Sequence, residues 1–100
     1  MIEFNNNSGI FIADFGVKYY VEDFNKLINF IKNSNDFIFD DIIDDFDTTY
    51  LVFKFKNNDF ILSYDCLKGM YVYCKKKENS SIEDCVLIKE ISLLFESILN

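Results

Sequence analysis

The stretch TTYLVFKFKNNDFILSYDCLKGMYVYCKKK, Thr48 to Lys77, decides the fold. Its runs Thr49 to Lys56 and Asp59 to Asp65 are rich in β-branched and aromatic residues. They are split by Asn57-Asn58, a pair that tolerates the positive φ of a two-residue hairpin loop. That loop makes Lys56 oppose Asp59, and counting outward sets Phe55 against Phe60, Phe53 against Leu62 and Leu51 against Tyr64 on one side of a sheet. Lys54 with Ile61, Val52 with Ser63 and Tyr50 with Asp65 share the other side. Leu67-Lys68-Gly69 then reads as a three-residue loop whose Gly takes the left-handed position, pairing Cys66 with Met70 and Tyr64 with Val72. Met70, Val72 and Cys74 join the first side, the expected core, while Tyr71, Tyr73 and Lys75 join the second.

Working outward, Lys18 to about Asn33 places Val21, Phe24, Leu27, Ile28 and Ile31 on one helical face, with Phe30 off the stripe. Glu22 and Lys26 form an outward pair one turn apart, and Lys32 suits the C-terminal end. A second helix is expected from about Ser81 to Leu99. Ser80 followed by Glu83 is a capping box, and Leu87, Ile88, Ile91, Leu94, Phe95 and Ile98 make a broad apolar face. Met1 to Phe15 reads as one strand or a small hairpin turning at Asn5 to Gly9, and its attachment to the meander is open. The expected architecture is one α+β domain over residues 1–100. An antiparallel meander of three to five strands packs on two amphipathic helices, one in each half of the chain, which leaves the second sheet face free.

Between the first helix and the meander lies Asp36-Phe37-Ile38-Phe39-Asp40-Asp41-Ile42-Ile43-Asp44-Asp45-Phe46-Asp47, six carboxylates in twelve residues. Strict alternation fails here, because it would put Asp and apolar residues on the same side. Helical spacing succeeds: Phe39, Ile42, Ile43 and Phe46 recur at i, i+3, i+4 and i+7, and Asp40, Asp41, Asp44 and Asp45 project away. A short acidic helical turn is expected, although Asp40 with Asp44 and Asp41 with Asp45 would then be like-charge pairs. The cluster is either a solvated connection or a surface that presents charge to a basic partner. As a divalent-metal site it lacks the D-x-D-x-D-G spacing of a calcium loop. As a glycosidase carboxylate pair it lacks a chain long enough to build a substrate cleft.

Composition narrows function further. The chain has 100 residues, is 50% hydrophobic and 18% aromatic, and carries a formal net charge of -7. Twelve Phe, six Tyr and thirteen Ile provide the apolar surface an ordered fold needs, and there is no His, Arg, Trp or Pro. Without His the usual nucleophile pairs, imidazole zinc sites and neutral-pH general base are missing. Without Arg, and with excess acid, direct nucleic-acid binding is disfavoured. The start Met-Ile-Glu-Phe-Asn-Asn-Asn has no basic leader region, and no apolar run approaches the roughly 20 residues needed to span a bilayer. A cytoplasmic protein is expected, with no membrane partner. Cys66, Cys74 and Cys85 are odd in number and lack C-x-x-C spacing, which fits a reduced compartment and buried, inert thiols. Asp14-Phe15-Gly16 spells a kinase tripeptide without the rest of the kinase signature, and Lys75-Lys76-Lys77 reads as a solvated strand end.

These readings point away from catalysis and toward a protein whose product is a complex, with no cofactor and no bound metal. Asp40, Asp41, Asp44, Asp45 and Asp47 would steer a basic partner. Tyr50, Tyr71 and Tyr73, with Ser63 and Asp65, would supply anchors on the free sheet face unless another element covers them. The acidic balance, the Asp40-Asp41-Ile42-Ile43-Asp44-Asp45 block and the compact α+β pattern together resemble, in type, the small immunity proteins of bacterial polymorphic and contact-dependent toxin systems. The resemblance implies binding and blocking of a cognate toxin domain, frequently a basic nuclease, by a monomer or weak dimer, with carboxylates standing in for substrate phosphates. Two other classes stay open: a small acidic secretion chaperone, which would form a stable dimer, and a small-ligand or regulatory binding domain with a pocket between sheet and helices.

Overall fold

The computed structural model describes residues 2–76 and 79–100; Met1 and Lys77, the ends of two segments read above, lie outside them. Six antiparallel strands form one sheet: β1 (Glu3–Asn7), β2 (Ile10–Gly16), β3 (Phe37–Asp45), β4 (Thr48–Phe55), β5 (Asn58–Asp65) and β6 (Gly69–Cys74), in the spatial order β1-β2-β6-β5-β4-β3. Two helices complete the fold, α1 (Val21–Asn33) between β2 and β3 and α2 (Ile82–Leu99) at the end. The α+β class matches the sequence reading, but the sheet has six strands where three to five were expected. The N-terminal hairpin accounts for two of them. It joins the main sheet through β2 and β6, with Ile12 opposite Tyr73 and Ala13 opposite Val72.

The further strand is the acidic segment, and here the helical turn is overturned. Residues 37–45 are extended and pair with β4 along their whole length. A bulge explains why alternation had looked impossible. Phe37 and Phe39 oppose Phe55 and Phe53, the register shifts between Phe39 and Asp41, and Ile42 then opposes Leu51. The extra residue resets the parity of the strand, so Phe37, Phe39 and Ile42 all share the side of buried Phe53 and Leu51. The same insertion turns a period of two into the 39-to-42 step that mimics a helix. Like-charged Asp pairs and the low helix propensity of Asp removed the competing conformation.

Both meander hairpins keep the expected faces in a different register. The first loop is Lys56-Asn57, with φ of 48° and 68°, rather than Asn57-Asn58. Phe53 therefore meets Phe60, Leu51 meets Leu62 and Tyr64 meets Thr49. A slip of two residues exchanges partners without turning any side chain over. Either register sets a lysine opposite Asp59; the observed one uses Lys54, with Nζ 2.9 Å from Oδ1, and so leaves Lys56 to reach Glu90 on α2 at 2.9 and 3.1 Å. The second loop is Cys66-Leu67-Lys68, so Tyr64 meets Met70, and Gly69 at φ 101° opens β6.

The core lies between one sheet face and the two helices. Phe24, Leu27 and Ile31 of α1 and Leu87, Ile88, Ile91 and Phe95 of α2 cluster with Ala13, Phe15, Phe37, Leu51, Phe53, Phe55, Phe60, Leu62, Met70, Val72 and Cys74. The Phe95 ring is the hub, with Phe37, Phe53 and Phe15 centroids at 5.8, 5.9 and 6.5 Å. Phe30, off the predicted stripe, still packs edge-on against Phe37 and Phe95, because it fills the space between the helices. Val21 and Leu94, placed on the apolar faces, are exposed. The cap of α2 is displaced by one residue: Ser81 Oγ accepts the Asp84 N–H, and Asp84 Oδ2 accepts the Ser81 N–H. Ser80 instead accepts the Phe11 N–H and donates its own N–H to Gly9, tying the entry of α2 to the first hairpin.

Candidate binding face

The sheet face away from the helices is concave. A single hollow of about 460 Å³ takes walls from Ile10 on β2 and Ile43 on β3, strands with three others between them. In a flat sheet, four strand spacings would set those walls roughly 19 Å apart, so the sheet must curl around the hollow. Curling also explains why Val52 and Ser63, on the uncovered face, keep only 4% and 6% of their surface.

Tyr50, Ser63, Asp65, Tyr71 and Tyr73 line a second hollow of about 410 Å³, joined to the first through Tyr50 and Tyr73. The ladder brings them together: Tyr50 opposes Ser63, and Ser63 opposes Tyr71. No element of the described structure packs over them. Burial pushes the Tyr73 hydroxyl up, with a hydrogen bond from Ser63 opposing and the Tyr50 hydroxyl adding to the shift. Burial, then Asp14 and Asp65, push Tyr71 up, and its hydroxyl donates to the Lys68 carbonyl at 2.7 Å. Tyr71 and Tyr73 therefore keep neutral, hydrogen-bonding hydroxyls at neutral pH.

Asp65 has a structural occupation as well. Its carboxylate accepts the Leu67 and Lys68 N–H groups at 2.8 and 3.1 Å and the Thr48 hydroxyl at 2.9 Å. The backbone donors Leu67 and Lys68, then Thr48 and the Lys68 charge, hold the carboxyl below its usual range despite burial. It clamps the β5–β6 loop while lining the hollow.

The acidic cluster is spread along a sheet edge. By register Asp41 and Asp45 lie on the concave side, opposite Val52 and Thr48, whereas Asp44 lies on the helix side, where the Thr49 hydroxyl bonds it at 2.6 Å. Asp40 sits in the bulge, and Asp47 in the two-residue loop to β4. All five are exposed. Only Asp41 and Asp45 therefore share a face with Tyr50. Among the described residues, no three acidic or thiol side chains converge as a metal ion would require. Beside Asp47, Phe46 is fully exposed with φ 54°, an aromatic ring held at a loop tip in the left-handed region. Sequence reading placed Phe46 on a buried helical stripe; the signal for its true position was the strand on either side of it.

The expected burial of the thiols holds for Cys74 alone, since Cys66 lies exposed in the β5–β6 loop and Cys85 is half-buried on α2. Cys74 is pushed up to about 12 by burial and then by the neighbouring Asp84 carboxylate, which it faces from β6. Burial alone would raise Asp84, but the Lys76 ammonium at 2.8 Å and the Ser81 groups outweigh it and hold the carboxyl low. No helix among the described residues is long and apolar enough to cross a membrane.

No family model, curated protein or solved structure matches this chain. The chemistry of the face therefore carries the functional reading.

Proposed function

We propose that this chain is a non-catalytic, toxin-neutralising protein of the immunity type that captures a basic partner domain of the nuclease type along its acidic edge strand. The observation that carries the reading is that β3 and the loop after it present Asp40, Asp41, Asp44, Asp45 and Asp47 to solvent, at the margin of a tyrosine-lined concave face. Carboxylates at the margin would raise the encounter rate with a cationic surface, and tyrosines at the centre would supply desolvated contacts. Asp65 takes part through the Thr48 and loop groups that it positions, since its own oxygens are occupied. The exposed Phe46 ring adds an apolar anchor beside Asp47.

The test is genetic and then kinetic. The neighbouring reading frame is expected to end in a toxin-like domain; co-expression of this chain with that domain should restore growth, and the two chains should co-purify. Growth arrest with the partner unbound would overturn the reading. Replacing Asp40, Asp41, Asp44 and Asp45 with Asn should slow association by about tenfold or more at low salt and flatten its salt dependence, with little change in dissociation.

A further inference from the structure

We infer that the apolar hollow of the concave face is a binding site for a small amphipathic carboxylate, an aliphatic or aromatic body with one anionic head. Ile10, Ile43, Val52 and Ile61 wall the hollow, and Tyr50 and Tyr73 bound its junction with the polar hollow alongside. Its volume of about 460 Å³ falls in the range of small-molecule sites, and such sites are characteristically apolar with a few polar groups that fix orientation. The charged side chains lining it are Lys75 and Lys76, both positive, in a chain whose net charge is -7.

Those two lysines are not equivalent. Lys76 is engaged by Asp84 at 2.8 Å, so much of its charge is already answered. Lys75 makes no ion pair among the described residues, and its backbone N–H is fixed to the Asp59 carbonyl at 3.1 Å, which holds its stem at the rim. An apolar body in the hollow with a carboxylate against the Lys75 ammonium satisfies both features. A cationic amphiphile would instead meet a like charge at the rim. The hollow shares Tyr50 and Tyr73 with the face of the partner reading, but β3 contributes to it through Ile43 and not through its carboxylates.

Decanoate below its micelle concentration is the probe, followed by calorimetry and by the summed tyrosine emission of a chain without Trp. Saturable one-to-one binding is expected, with decyltrimethylammonium weaker by about tenfold or more. Lys75→Met should weaken decanoate about tenfold, and Lys75→Glu should reverse the preference between the two probes. Lys75 is exposed, so both variants should keep the fold, checked by circular dichroism. Absence of saturation, equal affinity for the two probes, or indifference of decanoate to Lys75→Met would overturn the assignment. The Asn variant of Asp40, Asp41, Asp44 and Asp45 should bind decanoate at least as tightly as the natural chain, and loss of binding there would overturn it too.

Discussion

Gly69 carries two demands at one atom. Its φ of 101° is open to few side chains, and a Cβ there would sit 2.3 Å from the Gly16 carbonyl oxygen, where backbone of β2 approaches the start of β6. Gly16 has a similar φ of 84° but open space around it. The left-handed region costs a non-glycine residue roughly 1 to 2 kcal/mol, so Gly16→Ala should lose about that much. Gly69→Ala should lose more than about 3 kcal/mol, since a backbone atom must also move. Urea denaturation of the pair separates conformational cost from contact. The carboxyls of Asp65 and Asp84 make a second prediction. Both are held below their ordinary values in the folded state. Their contribution is therefore complete above the unfolded value of about 3.9 and is lost as pH falls through the lower folded values. Stability should drop between roughly pH 5 and pH 2, and Asp65→Asn with Asp84→Asn should flatten that drop while lowering stability at pH 7. An acid transition of unchanged steepness in the double variant would assign it to other carboxylates.

Among the elements, β3 is divided. Its first half is pinned by Phe37, whose ring lies 4.6 Å from Phe55 and 5.8 Å from Phe95, while the half from Asp40 onward is exposed. Phe37→Ala should cost about 3 to 5 kcal/mol, as for other buried phenylalanines. Phe46→Asn should instead stabilise by about 0.5 kcal/mol, because Asn tolerates the left-handed region and the Phe ring buries nothing. A loss of stability in Phe46→Asn, read by thermal unfolding, would show that the ring has a contact in solution. The same strand marks where sequence reading stops. Periodicity located the meander, both helices and the facing of every strand residue from Leu51 to Cys74, because each of those elements keeps its period. It failed at the bulge, where a single added residue changes the parity, and it missed by two residues in both hairpins. Registers that differ by two present identical faces, so only pairwise terms such as Lys56 with Glu90 distinguish them. The tyrosine hollow was legible from facing alone; the curl that makes it a hollow was not, since curvature is a property of six strands together.

For the molecule as a whole, the net charge of -7 acquires a location. Residues 36–47 hold six of the seventeen acids and no base, and the structure sets them at one margin of the sheet. An edge strand offers an open ladder of backbone groups to any chain that pairs with it, including a second copy. Antiparallel self-pairing of β3 would bring the carboxylates of Asp40 to Asp45 from two copies within a few ångströms, well inside the roughly 8 Å screening length at physiological salt. The charge therefore opposes self-association while leaving the ladder accessible to a cationic partner. The natural chain should sediment as a monomer at 0.15 M salt across micromolar concentrations. The Asn variant of Asp40, Asp41, Asp44 and Asp45 removes the repulsion and keeps the strand, so its mass should rise with concentration, and Lys introduced at Ile43 in that variant should restore the monomer. A stable dimer of the natural chain would instead favour the chaperone-like architecture, in which a second copy already covers this edge or the concave face. A variant that stays monomeric would mean that the twist and bulge of β3 protect the edge without help from its charge, so that the six carboxylates serve either solvation of the strand or recognition of a partner.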